Sequence, residues 1–382
     1  MQISSWYYIL IMVLAPLVLK GKYKKYIFFA VSMGVFYIAS AGPIAFLFSI
    51  LYILIPYFYV RFFKTKWPLI VIMVAAFLYL KRYDWIFKTA HIPYLISFGV
   101  FGLSYILFRI IDYVINAEFL EEGQKSVIDY LNYVLSFYTI ICGPIMNYSN
   151  FVKDFYEEKE PLDRSGMLEC LDLIAGGYVK ILLLSNLCQK AADYGFGLIS
   201  DQLRILPMLL FAVSNVLFIY FNFSGYCDVV IAFAKLAGFK LPENFDKPYL
   251  ANDISDFWNR QHATLTKWIT SYIFTPVTKK LTGKMTLDSA QYFGFFAAFL
   301  FAGLWHGTTL NYLVYGILQA IGVCLTKLYT SAGIKKQGGR KAFREHRKKP
   351  AVRAAEIAVT QIYIALSFMF IGYDMIGLFF GA

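Results

Sequence analysis

Ile44-Ala-Phe-Leu-Phe-Ser-Ile-Leu-Tyr-Ile-Leu-Ile-Pro-Tyr-Phe-Tyr-Val-Arg-Phe-Phe63 runs for twenty residues with a single charge, Arg61. A helix of that length covers the roughly 30 Å hydrocarbon core of a bilayer. Lipid offers no partner to an exposed backbone N–H or C=O, so such a run has to be helical. Comparable apolar runs follow outward in both directions: Trp6–Leu19, Tyr26–Ser40, Trp67–Leu80, Ile92–Ile115, Val127–Ile145, Met167–Leu187, Leu206–Phe221, Tyr226–Ala237, Ala290–Leu304, Leu310–Leu328 and Ala354–Phe380. Several are too short to cross upright, which gives about nine to twelve membrane helices. The last run is long enough for a helix plus a bent terminal piece. Composition agrees: 59% of the 382 residues are hydrophobic and only 16% charged, with a mean hydropathy of +0.57. That leaves too little polar surface for soluble globules, and it excludes disorder, collagen and a disulfide-built secreted module. The expected fold is an all-α integral membrane protein, a single polytopic domain over 1–382. Its parts are N-terminal helices in 1–100, a core in 101–330 with a polar stretch at 240–283, a basic loop at 335–349 and a C-terminal helix at 352–382.

The net charge is +12, from 36 Lys and Arg against 24 Asp and Glu. These cations sit between apolar spans and form no domain, so they fit cytoplasmic loops and anionic membrane lipids, and no nucleic acid is expected. Lys20, Lys22, Lys24 and Lys25 follow the first span, and Lys335 to Lys349 form a second run. Both are expected on the cytoplasmic side, which puts the N-terminus outside a multi-pass cell-membrane protein. The second run can alternatively dock an acidic partner. No basic n-region precedes the first apolar run, so that span is expected to stay in the mature chain. The five cysteines are scattered without a CxxC spacing and read as small buried hydrophobes.

Between Lys240 and Gly283 the pattern changes. Pro242 and Pro248 break helices, and Asn252 or Asp253 can cap a short new one. In that helix Phe257, Trp258, Gln261 and Leu265 recur at three- and four-residue steps, while Asp256, Arg260 and Lys267 occupy other faces. A short interfacial or re-entrant helix lining a cavity fits this pattern. Of the four histidines, His91 reads as an interfacial loop residue and His346 as part of the basic run. His262, beside Arg260, and His306, after Trp305 at the end of an apolar run, stand in or next to the polar stretch. An imidazole there costs free energy unless paired, and it titrates in the range that suits proton exchange with a hydroxyl. The alternative for each is a structural bond to a neighbouring carbonyl. A metal set of both histidines with Asp253 or Asp256 lacks ligand spacing, so no metal is expected. P-loop, GxGxxG and GxSxG patterns are absent, so nucleotide-driven transport and serine-hydrolase chemistry lack support.

Four blocks occur in order: Phe221-Asn-Phe-Ser-Gly-Tyr-Cys-Asp228, Leu241-Pro-Glu-Asn-Phe-Asp-Lys-Pro-Tyr249, Asp256-Phe-Trp-Asn-Arg-Gln-His262 and Gly303-Leu-Trp-His-Gly307. Together with Gly143-Pro-Ile145, Phe151, Ser104-Tyr105, Arg109 and Asp112 they resemble the membrane-bound O-acyltransferase (MBOAT) family in its bacterial branch, from about residue 100 onward. The resemblance implies helices around a central tunnel or funnel, an acyl-thioester donor and a hydroxyl acceptor. It implies that His306 is the essential histidine and that His262 holds the family's second polar position. Within the branch the chain is most similar to proteins of teichoic acid D-alanylation, although Gln261 and Ala263 depart from the usual pattern. No tightly bound cofactor is expected. The donor would be the phosphopantetheine thioester of an acyl carrier protein, with an extracytoplasmic acyl-transfer protein as second partner. The alternatives are an O-acetyltransferase of exopolysaccharide or peptidoglycan using acetyl-CoA, and a transporter or flippase of an acylated intermediate. His306 would serve as base or positioning partner for the hydroxyl, and His262, Arg260 and Asn259 would orient the acyl group or stabilise developing charge. Trp305, Ser224, Tyr226 and Asp228 would line the same cavity.

Overall fold

A computed structural model describes residues 6–19, 21–91, 93, 100–121, 126–157, 159–201 and 205–380. Lys20, residues 92 and 94–99 of the Ile92–Ile115 run, and the first and last residues of the chain lie outside the described residues. The chain packs as two compact units, one of residues 1–179 and 225–242, the other of residues 180–224 and 243–382.

The first unit carries α1 (Trp6–Val18), α2 (Lys24–Ala39), α3 (Pro43–Phe62), α4 (Trp67–Leu80), α5 (Asp84–Thr89), α6 (Leu103–Asn116), α7 (Val127–Val134), α8 (Tyr148–Tyr156) and α9 (Arg164–Val179). α3 shows why the apolar runs signify a membrane. Ile44, Leu47, Leu51, Ile55, Phe58 and Phe62 form an exposed stripe, while Ala45, Ser49, Tyr52, Ile53, Pro56 and Tyr57 face the protein. Water would penalise that stripe, and lipid tails do not.

The Val127–Ile145 run, expected as one span, is helical only through Val134. Gly143 and Pro144 disfavour helix, and buried Arg109 on α6 supplies the donors that the irregular backbone needs. Its guanidinium donates to the Val134 carbonyl at 2.8 Å and the Thr139 carbonyl at 3.0 Å. Asp112, one turn along, accepts from the Tyr133 hydroxyl at 2.8 Å and the Tyr148 N–H at 2.7 Å. Non-helical backbone persists in a membrane protein when side chains satisfy it in this way.

The Met167–Leu187 run is helical from Arg164, passes a π-helical turn at Lys180–Ser185, and continues as α10 (Asn186–Asp201). Leu206–Phe221 and Tyr226–Ala237, expected as two spans, belong to one 32-residue helix, α11 (Ile205–Leu236). Its residues 205–224 belong to the second unit and 225–236 to the first. The Asn-Phe-Ser-Gly sequence at 222–225 does not break it, because one glycine costs a helix only about 1 kcal/mol.

The second unit continues with α12 (Ile254–Arg260), α13 (Ala263–Ile269), α14 (Thr275–Thr282), α15 (Leu287–His306), α16 (Leu310–Lys336), α17 (Arg340–Lys348), α18 (Pro350–Phe368) and α19 (Met375–Phe380). The expected basic loop at 335–349 therefore contains a helix, and the C-terminal run is a span followed by a short bent helix. Among the described residues, α3, α11, α15, α16 and α18 are long and apolar enough to cross a membrane, and two shorter apolar helices accompany them.

α15 and α16 cross at two glycines. A Cβ on Gly303 would stand 2.4 Å from the Tyr312 carbonyl, and one on Gly316 would stand 2.5 Å from the Phe299 carbonyl. Buried Ala290, Gly294, Ala298 and Ala302 extend the same small-residue seam along α15. Small residues let membrane helices approach closely enough for dispersion to hold them. Gly316→Val is expected to lower the thermal midpoint in detergent by several degrees, from overpacking of about 1–3 kcal/mol. Gly176→Ala, where the added carbon meets open space, should not, and equal behaviour of the two would refute the close-crossing argument.

Candidate functional site

The polar stretch folds around one asparagine. After Pro242 the chain is extended, and Phe245 forms an isolated antiparallel bridge with Gln261. The Asp246 N–H reaches the Arg260 carbonyl at 2.9 Å, and the Ala263 N–H reaches the Asn244 carbonyl at 3.0 Å. α12 is capped by Asp253, whose carboxylate accepts from the Asp256 N–H at 2.8 Å. The helix expected to run on through Leu265 stops at Arg260, because His262 adopts a left-handed backbone with φ +51°. That conformation disfavours a residue with a β-carbon. Here the bonds to Asn244 from His262, Ala263 and Thr264, with the Asp246–Arg260 bond before the turn, hold it in place.

The Asn244 side chain is fully buried, and its Oδ1 serves three donors. These are the Thr264 N–H at 3.1 Å, the Thr264 hydroxyl at 2.8 Å and His262 Nδ1 at 3.2 Å. A backbone N–H can only donate, so the atom facing it is the amide oxygen, which can only accept. His262 Nδ1 must then carry a proton. In the neutral ring this leaves Nε2 as a lone pair, buried and without a hydrogen-bond partner among the described residues. Burial, and then the His306 imidazole beside it, hold the His262 pKa well below the ordinary histidine value. The edge of Phe223 closes one side of the ring at 4.6 Å, and Trp305 stands 6.2 Å away.

His306 is the last residue of α15, two residues further than the Ala290–Leu304 run implied. Its ring lies 4.5 Å from Trp305 and 5.6 Å from Tyr315, met nearly at right angles. Tyr315 is buried and backed by Phe368 at 5.4 Å. Gly307 turns the chain, and a Cβ there would meet the Tyr312 ring at 2.0 Å. Beneath the site, Trp258 Nε1 donates to Gln319 at 3.1 Å, and Gln319 Nε2 donates to Ser367 at 2.7 Å. This satisfied polar chain ties α12 to α16 and α18 inside the hydrophobic cluster of Ile254, Phe257, Val323, Ile364 and Phe368.

The structure thus brings together His262, Trp305 and His306 of the residues singled out from sequence. Arg260 turns to carboxylates, donating from Nε to Asp256 at 2.8 Å and from Nη1 to Asp246 at 3.3 Å. Asn259 is exposed. Ser224 follows Phe223 on α11, and its Oγ is buried without a hydrogen-bond partner among the described residues. Tyr226 and Asp228 belong to the other unit, where the Tyr226 hydroxyl faces the Tyr138 carbonyl at 3.5 Å. Asp253 faces Arg347 at 2.9 Å, and among the described residues no three His, Cys, Asp or Glu side chains group as metal ligands. Asn244, Thr264, Phe223 and Tyr315 were not picked out from sequence. The signals for Asn244 were its place in the Leu241–Tyr249 block and its position between two prolines.

An all-helical membrane protein with two histidines meeting at a tryptophan, one held as a buried lone pair, defines a class suited to hydroxyl chemistry. A sequence profile of the membrane-bound O-acyltransferase family matches residues 78–345, well over half of the chain. The chain belongs to the MBOAT family, as its four sequence blocks led us to expect. It is 31% identical over 242 residues to the teichoic acid D-alanyltransferase of Bacillus subtilis, covering 60% of this chain and 59% of that protein. It is 27% identical over 227 residues to a probable alginate O-acetylase of Pseudomonas fluorescens, covering 59% and 44%. With the peptidoglycan O-acetyltransferase of Helicobacter pylori it shares 30% over 206 residues, covering 54% and 38%. The chain spans about half the length of these curated relatives.

Proposed function

We propose that this chain is an O-acyltransferase that moves a D-alanyl group from the phosphopantetheine thioester of an acyl carrier protein to a hydroxyl acceptor of teichoic acid modification. The observation that carries the acyl-transfer reading is the His262 lone pair, fixed by Asn244 and buried beside His306. His306 takes the hydroxyl proton as the acceptor oxygen forms its bond to the thioester carbonyl carbon. The carbon–sulfur bond breaks, and the departing thiolate recovers that proton from the imidazolium. Neutral His262 can accept but not donate at Nε2. It therefore suits holding a hydroxyl or ammonium hydrogen, and it does not suit the charge-stabilising role suggested by sequence. Arg260 and Asn259, ion-paired and exposed, are assigned to donor binding and not to the reacting carbonyl. The Phe223, Trp305 and Tyr315 rings packed against the two histidines give the site an apolar wall, which limits the water that would hydrolyse the thioester. The cytoplasmic side is assigned to the basic run at 335–349, with the N-terminus outside the cell membrane. An extracytoplasmic protein would receive the acyl group or pass it on.

D-alanyl transfer is favoured over acetyl transfer by the extent of the matches. The Streptococcus thermophilus teichoic acid D-alanyltransferase is matched over 290 residues, covering 70% of this chain and 67% of that protein. The alginate and peptidoglycan relatives keep O-acetyl transfer as the second reading. The full chain in detergent, given carrier protein loaded with labelled D-alanine or labelled acetyl-CoA, separates these. Label from D-alanyl carrier is expected on a hydroxyl acceptor without any membrane gradient. Transfer from acetyl-CoA alone would replace the D-alanyl reading. Gradient-dependent movement of intact acylated carrier or lipid, with no change of ester, would replace the enzyme with a transporter.

A further inference from the structure

The run at 335–349 is not a loose loop, and its rigidity gives it a use. Phe343 is buried against Gly333 on α16, where even a Cβ would stand 2.2 Å from its ring. Arg347 is clamped between two carboxylates. Its Nε donates to Glu356 at 2.8 and 3.0 Å, and its Nη2 donates to Asp253, the cap of α12, at 2.9 Å. The Tyr329 hydroxyl braces Glu356 at 2.7 Å. Phe343 and Arg347 thus fix one face of α17 onto the ends of α16 and α18.

The neighbouring face, centred about 90° round the helix, is cationic. By helical geometry Arg340, Lys341, Arg344 and Lys348 fall within about 100° of arc. All four are exposed. Lys348 pairs with Glu345 at 2.8 Å. Lys335, Lys336, Arg340, Lys341, Arg344 and Lys349 have no ion pair among the described residues. The spans on both sides determine where this face lies. α16 has 27 residues, about 40 Å of helix against a hydrocarbon core of roughly 30 Å, so its last cationic turn extends into the headgroups. α18 re-enters from Pro350. The helix between them is held at the same depth, where phosphates are the nearest abundant anions.

We propose that α17 is a preformed docking helix for anionic phospholipid headgroups. A rigid array gathers several phosphates without ordering a flexible loop, so little entropy opposes binding. Arg347 links the seated helix to the cap of α12, but lipid binding itself does not depend on the acyl-transfer reading.

The full chain, purified in detergent, is titrated with phosphatidylglycerol or phosphatidylcholine, and bound lipid is counted by native mass spectrometry. Phosphatidylglycerol is expected to bind in preference, and to weaken as salt is raised. Replacing Lys336, Lys341 and Arg344 together by glutamine is expected to cost about a hundredfold in that affinity, from about 1 kcal/mol for each cation near an anionic surface. The charge-conserving set Lys336→Arg, Lys341→Arg and Arg344→Lys should retain it. No headgroup preference in the unaltered chain, or equal retention by the glutamine variant, overturns the proposal. So does a glutamine variant that binds phosphatidylglycerol normally but loses an acidic carrier protein.

Discussion

His306→Ala is expected to abolish measurable acyl transfer while the protein still inserts and folds. General acid–base assistance contributes about 10²–10⁴-fold, and removing this ring removes the group that takes the hydroxyl proton and returns it to the departing thiolate. The fold should tolerate the change because His306 ends α15 and is only partly buried. It lies beyond the Gly303–Gly316 crossing that holds α15 to α16. Its contacts with Trp305 and Tyr315 are ring edges, each worth about 0.5–1.5 kcal/mol. The measurement is label transfer from a loaded carrier, beside the thermal midpoint in the same detergent. A variant that keeps near-normal transfer would remove His306 from the chemistry. His262→Ala should cost less, or act on binding. Complete loss in both would mean that the two rings act as one unit.

How far the sequence was legible depended on which interaction decided each element. Span positions were readable wherever lipid alone decides, as in α3, whose exposed stripe is the apolar run itself. They were misread wherever a distant side chain decides. Nothing local in Val127–Ile145 announces that Arg109, from the preceding helix, feeds the carbonyls of residues 134 and 139. The merging of two runs into α11 was likewise hidden, because its polar sequence resembles a break and only packing shows otherwise. In the site, His262 and His306 stood out as rare titratable groups beside apolar runs. Asn244 did not, since a neutral amide between prolines reads as loop punctuation. Its role rests on three donors converging from Thr264 and His262, a relation between segments that local pattern does not encode. The basic run was visible as charge but not as structure, because Phe343 finds its seat at Gly333 only when α16 and α17 fold together.

Asn244 is a positioning residue, and two substitutions separate its bonds from its charge. Asn244→Leu removes the acceptor and strands the Thr264 N–H, the Thr264 hydroxyl and His262 Nδ1–H in a buried place. Each unsatisfied group costs about 1–3 kcal/mol, and the His262 ring loses its fixed tautomer. Transfer is expected to fall about 10²-fold or more, through kcat more than KM, with a lower thermal midpoint. Asn244→Asp keeps an acceptor for all three donors, so the fold should hold. Its carboxylate, however, favours the imidazolium and raises the His262 pKa from its depressed position. In the unaltered chain His262 stays neutral until the pH is well below 6.5, the ordinary value for the group. In Asn244→Asp the ring takes a proton sooner as pH falls, and the proton occupies the Nε2 lone pair. The acid limb of the transfer profile should therefore move to higher pH, with activity recovered on the alkaline side. An unshifted profile in Asn244→Asp would show that Asn244 only supports the fold. A shift would tie the lone pair, and the asparagine that orients it, to the reaction.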